Sequence, residues 1–185
     1  MRLRDATLFH TLADTGMRPS EALGLQWSDI NIAARTVLVE RAVTLGRQLK
    51  STKTESRRQV PLTEPLVEAL KVWQRQAERR RQVSTFVFPT RQDGGRPLDV
   101  KRVARVFQKA LKLANVGRFK LYDLRHSYAS QLLLAGVPAT DVAHLMGHRN
   151  VTTTQTFYAH WIPRDMSHVA DKLTAARQAP KSAQR

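Results

Sequence analysis

The chain has 185 residues, of which 31 are lysine or arginine and 15 are acidic, giving a formal charge of +16 at pH 7 with histidine neutral. Because 42% of the residues are hydrophobic, this charge predicts a globular domain with a polyanionic partner, although charge alone does not separate DNA from RNA or from a solvated basic surface. The absence of cysteine excludes disulfides and thiolate metal sites, and no run of residues predicts a membrane span or a secretory signal. We therefore expect a cytoplasmic protein without a membrane partner.

The spacing of apolar residues predicts a series of helices with few strands. Helices are predicted, in chain order, at residues 5–14, 19–25, 63–81, 100–114, 121–134, 139–146 and 166–177. Alternating residues predict antiparallel strands at 36–43 and 59–62 around a polar, basic connection at 45–58, and a short strand at 86–88 before the turn Asp93-Gly94-Gly95. The predicted fold class is therefore mainly α with a small antiparallel β-sheet.

Four short segments follow one another along the chain, each with polar side chains suited to a phosphate group. They are TGMRPSEALGLQWSDI at 15–30, TKTESRRQVPL at 52–62, YDLRHSYAS at 122–130 and LMGHRNVTTTQTFYAH at 145–160. In this order the set resembles the catalytic domain of the tyrosine recombinases, the phage integrase family. Each segment alone would be a weak match, but the ordered set brackets nearly the whole chain.

The resemblance implies the tyrosine recombinase catalytic domain fold, that of DNA breaking-rejoining enzymes, over residues 1–177. The length of the chain and the absence of internal repeats agree with one domain. Residues 178–185 are polar and basic, so we expect them to form a disordered tail. In the family a separate N-terminal core-binding domain precedes the catalytic domain, and we expect that domain to be absent from this chain.

Two arginines are the candidates for holding a phosphate, because a guanidinium fork donates two parallel hydrogen bonds and stays protonated. Arg18 begins a predicted helix, and Glu21 follows one turn later, where its carboxylate can orient the guanidinium. Arg125 lies in the predicted helix at 121–134. Glu21 and Asp123 are both predicted to orient reactive groups without reacting themselves.

Tyr158 is the candidate nucleophile implied by the resemblance. Attack of its hydroxyl on a phosphodiester would conserve the bond energy in a 3′-phosphotyrosyl intermediate, so that strands can be rejoined without ATP or metal. By the same resemblance, His148 would hydrogen-bond the scissile phosphate or hold the surroundings of the tyrosine in place. Lys53 would protonate the departing 5′ oxygen, with Lys50 in the same basic connection as its competitor.

One position departs from the family pattern. The usual box of the family is His-x-x-Arg, and this chain has Tyr122 in the place of the histidine. Tyr122 stays a candidate catalytic residue because its hydroxyl can donate a hydrogen bond to a phosphate, but a tyrosine is a poor general base near neutrality. His126 lies about 100° around the helix from Arg125, so we expect a core or supporting histidine rather than a replacement.

The basic connection also supplies candidates for contact with DNA, namely Lys50, Arg57 and Arg58. Neither a metal site nor a cofactor is predicted. Gly147 interrupts the helix between His144 and His148, and no cysteine or carboxylate completes a set of ligands there. The chemistry implied by the resemblance needs no such group.

The resemblance implies a metal-independent strand transferase of a mobile genetic element, one that performs site-specific DNA recombination or integration. Its partner would be a double-stranded DNA attachment site. The protein would bind this site as a homotetramer, in which the segment at 166–177 docks on a neighbouring subunit, and a monomer in the absence of DNA is the alternative state.

One alternative function is that of a catalytically impaired DNA-binding protein on the same scaffold. Another is a DNA relaxing enzyme like topoisomerase IB. Covalent trapping distinguishes the first alternative from a recombinase, and strand joining distinguishes the second.

Overall fold

The computed structural model describes residues 1–44, 48–51, 57–80, 84–90 and 95–158. The predicted fold class, mainly α with a small antiparallel β-sheet, is confirmed. The helices in these residues are α1 at Leu3–Thr15, α2 at Pro19–Leu23, α3 at Glu64–Arg79, α4 at Val100–Leu113, α5 at Asp123–Leu134, α6 at Ala139–Met146 and α7 at Val151–Tyr158. A short 3-10 helix at Trp27–Asp29 leads into the strands, which are β1 at Ile30–Asn31, β2 at Thr36–Val39, β3 at Arg41–Val43, β4 at Leu49–Ser51 and β5 at Arg58–Pro61.

The strands form two small antiparallel sheets instead of the one predicted. β2 pairs with β1 on one side and with β5 on the other, with Val37 opposite Val60, whereas β3 pairs with β4. The strand predicted at 36–43 is therefore divided at Glu40, where the chain leaves the first sheet for the second. β4 has no counterpart among the predicted strands and lies within the connection predicted at 45–58. Its sequence, Leu-Lys-Ser, is too short to show the alternation by which a strand is recognised.

The strand predicted at 86–88 is wrong. Phe86 makes one isolated bridge with Gln26, and Pro89 makes another with Pro97. A proline has no N–H to continue a ladder of hydrogen bonds, so the pairing between Pro89 and Pro97 cannot extend into a strand.

Most predicted helices are present, with ends within a few residues of those expected, because local side chains cap them. The hydroxyl of Thr63 accepts a hydrogen bond from the N–H of Leu66 at 3.4 Å and begins α3. The carboxylate of Asp99 accepts one from the N–H of Arg102 at 3.0 Å and begins α4. These caps are local, which is why the sequence pattern locates the helices well.

Helix α7 has no counterpart among the predicted helices. Its sequence, VTTTQTFY, is rich in β-branched residues and lacks apolar residues at helical spacing. Tertiary packing stabilises it instead, since Thr154 and Tyr158 are buried, and Asn150 accepts a hydrogen bond from the N–H of Thr152 at 2.8 Å. The predicted helix at 166–177, the predicted tail at 178–185, and Asp93 and Gly94 of the predicted turn lie outside the described residues.

Buried hydrophobic side chains form two clusters. The larger cluster joins α1, α2, the three-stranded sheet, α3 and α4, and includes Leu8, Leu70 and Trp73. Helix α1 also packs against α5, so the two clusters meet at α1. The smaller cluster joins α5, α6 and α7 through Tyr128, Ala129, Leu133, Val142, Met146 and Tyr158.

Among the described residues, no helix is long and apolar enough to cross a membrane.

Gly16 ends α1 in the left-handed region, with a φ of 59°. A Cβ at this position would lie 2.3 Å from Cδ1 of Tyr128. We expect Gly16→Ala to lower the free energy of unfolding by about 3 kcal/mol, because backbone strain adds to the steric overlap. Urea unfolding followed by circular dichroism measures this change.

Substitutions at two other glycines separate the contribution of backbone strain from that of steric overlap. Gly136 has a φ of 81° but open space around the position of a Cβ, so Gly136→Ala should cost only the backbone strain, about 1 kcal/mol. Gly117 has open space and no left-handed φ, so Gly117→Ala should leave stability unchanged or slightly raised. Equal losses for Gly16→Ala and Gly136→Ala would contradict the steric argument.

Candidate active site

Three arginine side chains meet at the last turn of α6. A helix leaves its last carbonyl groups without intrahelical partners and carries a partial negative charge at that end, so cations are favoured there. Arg18 directly precedes α2, whereas Arg58 lies in β5 and Arg125 in α5, and together they concentrate positive charge beside His148. Three consecutive carbonyl oxygens each accept a hydrogen bond from a different arginine: Leu145 from Arg58 at 2.7 Å, Met146 from Arg125, and Gly147 from Arg18 at 3.4 Å.

Glu21 is the buried carboxylate that joins two of these arginines. Its Oε1 accepts from Nη1 of Arg18 at 2.9 Å, and its Oε2 accepts from Nη2 of Arg58 at 2.7 Å. Burial raises the pKa of Glu21, but the hydrogen bond and charge of Arg58, together with the backbone N–H and charge of Arg18, outweigh it and leave the pKa below its usual value. Glu21 is therefore ionised at neutral pH and contacts Arg18 as the spacing predicted.

Arg58 lies in the interior, with 4% of its surface exposed, instead of on a surface facing DNA as predicted. Strand alternation contains a signal for this, since Arg58 falls on the same face as the buried Val60. Lys50 and Arg57 are exposed, and their contact with DNA stays a prediction. Lys53 lies outside the described residues.

Arg125 is 2% exposed and joins the end of α1 to the end of α6. Besides its bond to α6, its guanidinium donates from Nη1 to the carbonyl oxygen of Gly16 at 2.5 Å. Burial and the positive charge of Arg18 lower the pKa of Arg125 to about 10, while Tyr122 and Glu21 act in the opposite direction. Arg125 therefore stays protonated at neutral pH.

His148 occupies a defined position directly after α6. Gly147 ends the helix in the left-handed region with a φ of 64°, and the N–H of His148 donates to the carbonyl oxygen of Ala143 at 3.0 Å. Nδ1 of His148 lies 2.8 Å from Oγ1 of Thr154, a buried residue of α7. A Cβ on residue 147 would lie 2.7 Å from Nη1 of Arg58, so the turn that presents His148 depends on glycine.

The arginines set the protonation state of His148. Partial burial lowers the pKa of His148 from 6.5 to about 4, and the positive charges of Arg125, Arg18 and Arg58 contribute to this shift. The imidazole is therefore neutral at neutral pH. In this state it can form hydrogen bonds but adds no positive charge to the site.

Tyr158 is the last residue of α7 and is 4% exposed. Its hydroxyl oxygen lies 2.6 Å from Nδ1 of His126. Burial raises the pKa of Tyr158, and the positive charge of Arg125 offsets part of this rise. The hydroxyl is therefore protonated at neutral pH.

His126 is predicted to be a core or supporting histidine, and in the structure it contacts Tyr158, a partner that the prediction does not name. Arg125 and His126 point in different directions from α5, as predicted. Arg125 donates to the carbonyl oxygen of Gly16 at the end of α1, whereas His126 contacts α7. The sequence analysis does not foresee this partner because it predicts no α7, the helix that brings Tyr158 to the side of His126. No local pattern in the sequence marks this contact.

Tyr122 and Asp123 lie at the start of α5, and the roles predicted for them at the site stay predictions. Tyr122 directly precedes α5, is 42% exposed and contacts the ring of His126 edge-on, with ring centroids 5.3 Å apart. Asp123 accepts a hydrogen bond from the N–H of Lys120 at 2.7 Å, so it stabilises the start of α5. The hydrogen bond of Asp123 therefore caps a helix. Among the described residues, Glu21 is the carboxylate found in contact with Arg18 and Arg58.

The architecture is that of tyrosine recombinase catalytic domains, as predicted. The structure is similar to that of the Tn1549 transposon integrase in complex with transposon right end DNA, with a TM-score of 0.72 and 23% identity, covering 93% of this chain and 59% of that one. It is also similar to the crystal structure of XerA recombinase, with a TM-score of 0.68 and 21% identity, covering 96% of this chain and 58% of that one.

Sequence relatives establish the family. The model of the Phage integrase family matches residues 1–163. The chain is 30% identical over 190 residues to a tyrosine recombinase XerC-like protein of Caldanaerobacter subterraneus subsp. tengcongensis, covering 90% of this chain and 48% of that protein. It is 32% identical over 179 residues to tyrosine recombinase XerC of Xanthomonas campestris pv. campestris, covering 97% and 50%. The chain therefore belongs to the phage integrase family, and it spans about half the length of the curated relatives it matches.

Glu21→Gln tests the ion pairs of the site. Because the pKa of Glu21 is lowered in the folded protein, its charge stabilises the fold above the ordinary value of 4.5, and this contribution is lost as pH falls through the lower folded value. We expect the substitution to reduce the free energy of unfolding at pH 7 by about 3 kcal/mol, since the buried Arg58 would then face a neutral amide. Urea unfolding at neutral and acidic pH measures both effects.

On acidification, the Glu21→Gln variant should lose less additional stability than the wild type. Glu68→Gln is the control, because Glu68 pairs with Lys71 on the exposed surface of α3 and its replacement should change stability little. Equal acid losses in wild type and Glu21→Gln would contradict the assignment of the ionised state.

His148 should titrate near pH 4 in the protein without a bound anion. Its folded pKa lies below 6.5, so the unfolded chain binds the proton first, and stability falls as pH drops from 6.5 towards about 4. An anion between Arg18 and Arg125 should raise this pKa by offsetting their charges. NMR titration of the imidazole with and without sulfate measures both values, and His148→Gln identifies the signal. A midpoint near 6.5 without sulfate would contradict the electrostatic argument.

Proposed function

We propose that this chain cuts and rejoins double-stranded DNA at a specific site, with Tyr158 as the nucleophile and a 3′-phosphotyrosyl intermediate. The observation that carries the proposal is the convergence of Arg18, Arg125 and His148 at the end of α6, with Tyr158 on the adjoining helix α7. Membership of the phage integrase family supports it, as do relatives that are named tyrosine recombinases. The reaction class is metal-independent site-specific recombination or integration.

The arginines and His148 match the needs of a phosphodiester in displacement, which gathers negative charge on its non-bridging oxygens. A guanidinium carries five N–H donors, and the two carbonyl bonds of Arg125 use two of them. The side chain of Arg18 is 37% exposed, so it reaches the surface where DNA would approach. Because Nδ1 of His148 is held by Thr154, Nε2 is the nitrogen that would bond a phosphate oxygen.

In the proposed step, the hydroxyl oxygen of Tyr158 forms a bond to phosphorus and the bond from phosphorus to the 5′ oxygen breaks. Lys53 would give the departing oxygen its proton, a role that stays a prediction from the resemblance. Attack by a 5′ hydroxyl from another strand reverses the step, restores a phosphodiester and releases the tyrosine. The energy of the original bond is conserved throughout.

DNA is the partner that the charge of +16 and the family favour. The Tn1549 integrase that this chain resembles was solved in complex with transposon end DNA. Lys50 in β4 and Arg57 directly before β5 are exposed and would contact the phosphate backbone. A homotetramer on DNA, in which residues 166–177 dock on a neighbouring subunit, stays a prediction of the resemblance.

A second candidate function is DNA binding without cleavage. The burial of Tyr158 favours it, because a nucleophile that is 4% exposed must become accessible before it can reach phosphorus. Tyr122 in the position of the family's histidine points the same way. A relaxing enzyme like topoisomerase IB would share the nucleophile and differ in joining no partner strand.

Covalent trapping on a library of DNA tests these functions together. The probe is a nicked duplex with a randomised segment, in which the short fragment released by cleavage diffuses away and leaves the protein attached. We expect wild type to form adducts that survive denaturing electrophoresis and Tyr158→Phe to form none, because the phenol oxygen makes the bond. Sequencing of the trapped DNA identifies the attachment site.

Each outcome selects one function. Adducts enriched in one sequence, followed by joining of a supplied 5′-hydroxyl strand, support the recombinase. Adducts without sequence preference, with relaxation of supercoiled plasmid, would indicate the relaxing enzyme. Retention of DNA without any adduct would support the binding protein and contradict our proposal.

A further inference from the structure

The hydroxyl of Tyr158 must lose its proton when it attacks phosphorus, and its surroundings make this difficult. Burial raises the pKa of Tyr158, so phenolate is scarce at neutral pH. A general base that takes the proton during the attack would remove this obstacle. Such a base must lie within hydrogen-bond distance of the hydroxyl oxygen, about 2.6–3.2 Å. His126 meets this requirement, with Nδ1 at 2.6 Å from the hydroxyl oxygen.

We propose that His126 is the catalytic general base, and that its Nδ1 accepts the proton of Tyr158 as the bond from the tyrosine oxygen to phosphorus forms. The inference rests on the proposed function of Tyr158. As the bond from phosphorus to the 5′ oxygen breaks, the leaving oxygen takes its proton from a separate acid, for which Lys53 is the candidate. When the strand is rejoined, His126 returns the proton to the tyrosine. The neutral tautomer that accepts at Nδ1 carries its hydrogen on Nε2.

The other groups near Tyr158 are less suited to this step. The pKa of His148 is lowered to about 4, so it is a weak base, and its Nδ1 is engaged with Thr154. Arg125 is protonated at neutral pH. The carboxylate of Asp123 accepts from the backbone at the start of α5. Among the described residues, His126 is the side chain found in hydrogen-bond contact with the hydroxyl of Tyr158.

A cleft beside this pair gives the proton a route to solvent. It has a volume of about 470 Å³ and runs between α5 and α7. His126 is only partly buried, so the imidazole can exchange its second proton with water from the cleft. The cleft is also large enough to admit a small molecule, which makes chemical rescue of a truncated side chain feasible. Its lining includes Asp123, His126, Ser127, Ser130, Phe157 and Tyr158.

Two substitutions separate a proton acceptor from a residue that only positions the tyrosine. His126→Asn places an amide oxygen near the position of Nδ1, so it can keep the hydrogen bond but is not basic. We expect single-turnover formation of the adduct to slow by about 100-fold or more, because general-base catalysis contributes that much. His126→Ala should be slowed as well, and added imidazole should restore part of its rate. Imidazole should restore nothing to Tyr158→Phe.

A substrate with sulfur in place of the bridging 5′ oxygen locates the defect in the reaction. A thiolate leaves without needing a proton, so this substrate rescues enzymes that lack the general acid. We expect the slow cleavage by His126→Asn to persist on it, since the proton in question belongs to the tyrosine. The substrate is the sequence enriched in the trapping experiment, and Glu68→Gln, on the exposed surface of α3 away from the cleft, is the control with unchanged rate.

Cleavage by His126→Asn at the rate of wild type would overturn the inference, because the hydrogen bond alone would then suffice. Restoration of its rate by the sulfur substrate would also overturn it, since His126 would then act on the leaving group. Either result leaves the adduct with Tyr158 in wild type intact, so the proposed function would stand. An absence of adduct in wild type would overturn both.

Discussion

The hydrogen bonds between three arginines and the last carbonyl groups of α6 are the constraint on which the site depends. They bring together Arg18, Arg58 and Arg125 from elements far apart in the chain. Like charges repel, so the cluster is stable only because the negative end of α6 and the ionised Glu21 lie against it. Gly147 allows the close approach, since any side chain there would overlap Arg58. The position of His148 follows directly from this arrangement.

The excess of positive charge changes the chemistry of its neighbours. It contributes to a pKa of about 4 for His148 and of about 10 for Arg125. The same repulsion would be relieved by a phosphate between the arginines, so the electrostatic cost of the state without a bound anion becomes binding free energy when an anion arrives. Perturbed groups of this kind are typical of functional sites, where stability is given up for reactivity.

Tyr158, the proposed nucleophile, is coupled to this cluster through the packing of α7. Thr154 contacts His148, and Tyr158, one turn further along the helix, contacts His126. Because Tyr158 also belongs to the smaller hydrophobic cluster, the packing that stabilises α5, α6 and α7 is the packing that orients the hydroxyl. A change in one contact therefore affects both the fold and the position of the Tyr158 hydroxyl.

The sequence by itself determined the class of the protein and most of the helices, because residue types in a fixed order and apolar spacing are local signals. It also singled out Arg18 and Arg125, whose role in holding a phosphate stays a prediction. Burial of Arg58 and the split of the sheet at Glu40 required the structure, since both depend on which distant strands pair. Helix α7 has weak helical propensity and is stabilised by packing, which no local pattern contains. Only the tertiary structure decided that His126 faces Tyr158, because an angle around a helix gives the direction of a side chain and not what lies there.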